Sequence, residues 1–390
     1  MAPGKAVMGN PIHLFSPFFR VDEVLDEIRE CLERGWTGLG FKTVEIEEEW
    51  RAYTGLPHAH FLNSASGGLH LAIRLLKDQD GWSDGDEVIT TPLTFVSTNH
   101  PILYERLRPV FADVDEYLCL DPRSVAERIT SRTRAVVFVG FGGSAGRLQE
   151  VADLCRQRGL RLILDAAHMA GTRRRGRHVG AEADVTVFSF HAVKNLPTAD
   201  SGMICCRAAD QDRAVREWTW LGIDKDTFSR SKEGEGYRWL YNVPHVGFKY
   251  HGNSIMAAMA KVGLRYLDED NAVRRRLAEL YEQALTDQAG IEAIPVPEDC
   301  EPSRHLFQVK VDRRDEVMLE LNRRGVYPGV HYRSNQEYPM YRELPGPCPR
   351  ALEASRRLIS LPMHMRLSEA DVERVAAALC EVVGNETAAC

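Results

Sequence analysis

In the segment DVTVFSFHAVKN a run of β-type residues turns into Lys194, with Ser189 five residues ahead of it. An isolated lysine is ordinarily a solvated surface group. Here the apolar run before it and the small, uncharged residues after it weaken that default. In a water-poor cleft the pKa would fall from about 10.4, and the neutral amine would be available for imine chemistry. A second run, RLILD, ends in Asp165 and continues as AAH. This puts a carboxylate at the C-terminal end of an interior strand, where α/β folds place ligands and where a buried charge needs a cationic partner. Taken singly, Asp165 also fits a helix cap, and His168 a satisfied core or surface histidine. The stretch NSASGGLH, residues 63–70, sets small residues at the opening of an amphipathic helix. Their size lets an anion reach free N–H groups, with the Ser64 and Ser66 hydroxyls as further donors. An ordinary N-cap followed by tight helix packing would read the same way. Phe95, in TPLTFVSTNH, follows another β-run and can either cover a flat heterocycle or join the core.

Residues so far apart in sequence need a scaffold that gathers strand ends. Between about residues 87 and 206 the β-rich runs EVITT, PVFADV, AVVFV, RLILDA, DVTVFSF and GMICC alternate with helix-period segments. That alternation predicts an α/β fold, a mostly parallel sheet with crossover helices. Leu69, Ala72, Ile73 and Leu76 follow helical spacing, as do Leu148, Val151, Ala152 and Cys155 ahead of Gly159. An earlier helix is expected at 21–34, with Val21, Val24, Leu25, Ile28 and Leu32 aligned to pack on the other domain or on a partner subunit. Past Gly252 a long helical stretch runs to about Leu285, followed by a few strands, HLFQVKV among them. A last helix is opened by Ser368 with Asp371 three residues on. The change of texture sets a boundary near 250: a large ligand-binding domain over 1–250 and a smaller C-terminal α+β domain over 251–390.

A chain of 390 residues, 44% hydrophobic and 27% charged, can bury a sizeable core in about two domains. Its formal charge of -7 argues against a nucleic acid or an anionic membrane as main partner, although a phosphorylated ligand would need a local basic patch. The short runs Arg173 to Arg175 and Arg274 to Arg276 read as a solvated turn or helix face. Nine cysteines without a Cys-x-x-Cys pair give neither a disulfide framework nor a zinc site, so no metal is expected and reduced thiols in the cytoplasm are the simpler reading. The opening MAPGKAVMGNPIHLF lacks the apolar stretch of a signal peptide, and no segment approaches membrane-spanning length.

An anion cup, an aromatic cover, a carboxylate for a ring nitrogen and an imine-forming amine together describe a site for pyridoxal phosphate. On this reading Asp165 keeps the pyridine nitrogen protonated, and Lys194 moves the substrate's α-proton as general base and acid. The segments HAHFLNSASGGLHLAI, GDEVITTPLTFVSTNHPIL, RPVFADVD, LILDAAHMAGT, VTVFSFHAVKN and GFKYHGNSIMAA resemble, in order, the signatures of the DegT/DnrJ/EryC1/StrS family. These are the sugar aminotransferases of the aspartate-aminotransferase superfamily, and the resemblance spans about residues 12 to 370. It implies the fold type I architecture of pyridoxal-phosphate enzymes and a homodimer with shared active sites. It matches Lys194 to the Schiff-base lysine, Asp165 to the partner of the pyridinium nitrogen and Phe95 to the aromatic stacked on the ring. Ala65, Ser66 and Ser189 match phosphate contacts, and His168 stands where relatives often have Gln near the phenolic oxygen. Lys249 replaces an Asn that reaches the phosphate of the neighbouring subunit, a contact that charge could supply. His331 and Tyr332, in GVHYRSNQEYPMY, match a segment bordering the substrate, although His331 by itself reads as a surface-loop histidine. NLPTADSGM departs from the usual Thr-Thr-Gly-Glu-Gly-Gly-like stretch, and GFKYHGN lacks a following Tyr-Arg pair. Both departures lie beside the sugar pocket in relatives and leave the substrate subclass open.

The expected reaction is a ping-pong transamination. An amino acid, by resemblance L-glutamate, leaves pyridoxamine 5'-phosphate, and a nucleotide-linked keto sugar takes the nitrogen. Other readings are a cofactor-dependent sugar dehydratase, a cyclitol aminotransferase and a non-catalytic regulatory relative. Close dehydratase relatives often carry His at the lysine position, whereas this chain has Lys194.

Overall fold

The computed structural model describes residues 10–224, 241–344 and 346–387. The first nine residues of the N-terminal stretch read above, and Cys390, lie outside the described residues.

The large sheet has seven strands: β1 (His58–Leu62), β2 (Glu87–Thr90), β3 (Arg108–Phe111), β4 (Thr133–Val139), β5 (Arg161–Asp165), β6 (Val185–Ser189) and β7 (Gly202–Cys206). Their order is β1-β7-β6-β5-β4-β2-β3. The six β-runs expected between 87 and 206 are all present, and β1 is an addition. Strand β7 runs antiparallel to both neighbours, whereas β6, β5, β4, β2 and β3 pair in parallel. The sheet is therefore mixed. Two antiparallel steps cancel, so β1 points the same way as the parallel strands, and six strands end at one edge.

Period-two alternation fixes what each strand buries. Phe61, Ile89, Val136, Phe138, Leu164, Phe188 and Met203 face one apolar layer. Leu62, Val88, Val137, Ile163, Val187 and Ile204 face the other. Helix α1 (Ala65–Asp80) covers the second layer through Leu69, Ala72, Ile73 and Leu76. Helix α2 (Leu148–Arg158) covers the first through Leu148, Val151, Ala152 and Cys155, and ends at Gly159 with φ 65°. The start of α1 is pressed close to the sheet. A Cβ on Gly202 would lie 2.7 Å from the Phe188 carbonyl oxygen and 2.8 Å from the Ala65 nitrogen. Both obstacles are backbone, so Gly202→Ala is expected to cost about 1–3 kcal/mol, read as a lower thermal unfolding midpoint.

The smaller C-terminal α+β domain has a three-stranded antiparallel sheet of Ile291–Ala293, Phe307–Val311 and Leu358–Leu361. Its core gathers Leu277, Tyr281, Val309, Leu321, Ile359 and Leu379. The long helical stretch is two helices, Ser254–Arg265 and Leu267–Leu285. Ala257, Ala260, Leu264 and Leu267 still pack in the large domain's first layer, and Leu277 begins the small core. The division at 250 is retained as a proposal. Ser368 Oγ accepts from the Asp371 N–H at 3.2 Å and Asp371 returns a bond to the Ser368 N–H at 3.0 Å, which is the expected helix start. Arg274 corrects the reading of its run as solvated. It is 5% exposed and donates to the Met363 carbonyl, because it shares a helix face with Leu277, Ala278 and Tyr281. The expected early helix is present as Val21–Glu33. Val24 and Cys31 are buried, while Val21, Leu25 and Leu32 of the expected apolar face are 60%, 51% and 61% exposed. At the N-terminus, Ile12–His13 pairs in parallel with Val326–Tyr327 and thereby ties the first described residues to the small domain.

Candidate active site

The common edge of the sheet opens into a cavity of about 390 Å³. Ser64, Ala65 and Ser66 follow β1, Phe95 follows β2, Asp165 ends β5 and Ser189 ends β6. Lys194 enters from a tight turn held by its own N–H to the His191 carbonyl at 2.8 Å and by the Thr198 N–H to the Phe190 carbonyl at 2.8 Å. His305, His331 and Tyr332 close the cavity from the C-terminal half, and Phe15 from the N-terminal segment. The structure thus brings together Ala65, Ser66, Phe95, Asp165, His168, Ser189, Lys194, His331 and Tyr332.

Hydrogen bonds fix the orientation of most of these groups. Ser64 Oγ caps α1 by accepting from the Gly67 N–H at 3.1 Å, and the first-turn N–H groups of Ala65 and Ser66 have no intrahelical acceptor. Asp165 accepts from the Thr98 hydroxyl at 2.7 Å and from the Ala167 N–H at 3.1 Å. His168 Nδ1 accepts from the Gly142 N–H at 3.2 Å, so the ring proton sits on Nε2 and donates to the Tyr332 hydroxyl oxygen at 3.1 Å. The Tyr332 O–H remains available as a donor. Phe95 is 57% exposed, with its ring centroid 5.9 Å from that of Tyr332.

The charged groups respond to this burial. Lys194 is lowered to about 8 by desolvation, partly offset by Asp165. Asp165 is raised by burial, against the opposing pull of Thr98, Ala167 and Lys194. His168 and His305 are held well below the usual histidine range by burial, with Lys194 adding to the effect. His331 is lowered to about 4 by the same two causes. All three imidazoles are therefore neutral at pH 7. At that pH roughly a tenth of Lys194 is free amine, against about 0.04% for an ordinary lysine. The sign follows: the nucleophilic fraction grows as pH rises through 8. The rate at which cofactor-free protein forms an imine with pyridoxal phosphate, followed by absorbance, should climb from pH 6, pass half its maximum near pH 8 and level off above about pH 9. A profile still rising toward pH 10 would contradict the site geometry.

The DegT/DnrJ/EryC1/StrS aminotransferase family model matches residues 20–380. The chain belongs to that family. It is a pyridoxal-phosphate-dependent enzyme of an aminotransferase family, with the fold type I architecture. The aminotransferase TlmJ from Streptoalloteichus hindustanus is 32% identical, with 97% of this chain and 100% of that one covered at a TM-score of 0.89. DesV of S. venezuelae is 29% identical over 96% of this chain and 98% of that one, with a TM-score of 0.85. DesI, crystallised in the presence of its TDP-sugar product, is 28% identical over 99% and 97%, with a TM-score of 0.86.

The residues of this family member fit the cofactor. Among the described residues Asp165 makes no ion pair; each oxygen accepts one hydrogen bond, and Lys194 offsets the buried charge only through space. A protonated ring nitrogen would supply the missing cation. Lys249 does not join its own chain's cavity: its ammonium lies 3.5 Å from the centroid of the half-buried Trp220 ring, and its carbonyl accepts from Asn63. His331 is corrected from a surface-loop residue to a half-buried one, with Nδ1 2.9 Å from Ser360 Oγ. Sequence reasoning missed Thr98, Asn195, Phe15 and His305. Thr98 had a legible signal, since it lies one helical turn into the helix that Phe95 begins. His305 had none beyond preceding the strand Phe307–Val311.

Proposed function

We propose that this enzyme transfers an amino group from an amino acid, L-glutamate, to a nucleotide-linked keto sugar. The observation that carries the reading is the convergence in one cavity of a lysine lowered to about 8 and a buried acid that makes no ion pair among the described residues. Pyridoxal phosphate, when bound, supplies an aldehyde that joins amines and a ring that takes up an electron pair. Ala65, Ser66 and Ser189 would hold its phosphate, and Phe95 would cover its ring. Asp165, held by Thr98, would keep a proton on the ring nitrogen. Lys194 Nζ is the group that accepts and returns a proton near neutral pH. His168 would face the phenolic oxygen, and His331 and Tyr332 the sugar. DesI, with its TDP-sugar product, supports a nucleotide-linked substrate.

Lys249 is exposed on its own chain, which supports a homodimer in which it reaches the partner's phosphate site. Among the described residues no helix is long and apolar enough to cross a membrane, and the eight described cysteines are free; we place the enzyme in the cytoplasm. Product mass tests the reaction. Incubation with glutamate and a panel of keto sugar nucleotides should give 2-oxoglutarate and a sugar in which an amine has replaced the ketone oxygen. A product that has instead lost a hydroxyl, or a purified protein without a borohydride-sensitive chromophore, would overturn it.

A further inference from the structure

Behind Lys194 lies a line of side chains that the reaction above does not use. Asn271 Nδ2 donates to the Ala170 carbonyl at 2.9 Å. Its Oδ1 accepts from Asn195 Nδ2 at 2.7 Å, and the same Asn195 nitrogen donates to the Ser303 carbonyl at 2.7 Å. These donations leave Asn195 Oδ1 as the atom facing His305 Nδ1, 3.1 Å away. An amide oxygen only accepts, so the His305 proton sits on Nδ1 and its Nε2 presents a lone pair. That lone pair is 3.5 Å from Lys194 Nζ. Asn195, Asn271 and His305 are 6%, 0% and 1% exposed, so water does not compete for these bonds and reversing one amide would place like atoms against each other all along the line.

We propose that His305 is a positioning residue for Lys194, locked by Asn195 and Asn271 as the Nδ1–H tautomer so that its Nε2 accepts one N–H of the Lys194 amine. An amine held by one N–H directs its own lone pair away from that acceptor, toward the cavity. An acidic side chain at the same place would also accept, but its charge would hold Lys194 as the ammonium. A neutral imidazole orients without doing so. The ring of Phe15 stacks on His305 at 5.5 Å, nearly parallel, and that of His168 lies 4.4 Å away, so the imidazole has little room to turn. The charged and titratable groups facing Lys194 are Asp165, His168, His305 and His331, with Asp200 and His191 on the cavity wall. Arg274 also faces His305 and disfavours its protonation.

The inference rests on Lys194 being the imine-forming residue. Cofactor-free protein is mixed with pyridoxal phosphate between pH 6 and 10, attachment is followed by absorbance, and borohydride trapping with peptide mass spectrometry locates the label. His305→Leu is expected to slow attachment at Lys194 about tenfold at pH 8, and His305→Gln, which keeps an acceptor, to recover most of that loss. Equal rates for wild type and His305→Leu, or no recovery with Gln, would overturn the proposal. Nitrogen NMR of the histidine-labelled wild type, assigned against His305→Gln, provides a readout that requires no destabilised variant. The expected result is a protonated Nδ1 and an unprotonated Nε2, and the opposite tautomer overturns the proposal. Failure of the wild type to label at Lys194 would count instead against the functional reading.

Discussion

Lys194→Ala is expected to transaminate at about one ten-thousandth of the wild-type rate or less. No other lysine among the described residues lines the cavity, so no neighbouring amine can take over either imine formation or proton movement. The histidines are no substitute in imine formation, because an imidazole is not a primary amine, and His168 is already held through both ring nitrogens by Gly142 and Tyr332. Glutamate-dependent formation of 2-oxoglutarate measures the loss, with circular dichroism as the check on folding. Relief of Lys194's own desolvation should leave the variant at least as stable as the parent. A variant that turned over at an undiminished rate would remove the mechanism altogether.

Asp165→Asn should slow turnover by two to three orders of magnitude while leaving imine formation at Lys194 intact. Asparagine can still accept from the Thr98 hydroxyl, so the bond to the neighbouring helix survives. What disappears is the negative charge, together with the acceptor for the Ala167 N–H. Two consequences separate this outcome from simple damage. Asp165 is the group that favours the charged form of Lys194, so its removal lowers the lysine pKa further. The pH profile for cofactor attachment should therefore shift to lower pH even as catalysis collapses. If turnover and the attachment profile were both unchanged, Asp165 would have no electrostatic role.

The parts of the site that could be read from sequence are those that sit at strand ends. Asp165 and Ser189 close runs whose apolar composition announces an interior strand, and Ser64 to Ser66 open a helix whose period is plain. Each of these is a local pattern. The antiparallel direction of β7 was not legible, since GMICC reads identically in either sense and direction is decided by pairing with β1 and β6. Nor was the pairing of Lys194 with a histidine 111 residues away; no local pattern encodes a contact across two domains. The helix Val21–Glu33 shows a different limit. Its period is correct, yet burial follows Val24 and Cys31, and three residues of the aligned face stay open. Periodicity locates a face without naming what, if anything, covers it.

The pairing of Ile12–His13 with Val326–Tyr327 also sets a calendar for the newborn chain. A ribosome makes the lysine early and the histidine wall late. At about 5–20 residues per second, the stretch from Lys194 to Ser360 takes on the order of ten seconds or more. During that interval the amine is expected to be an ordinary hydrated one, mostly protonated and slow to react with stray aldehydes. Its full reactivity is expected only once the histidine wall has been made and the first strand can find its mate.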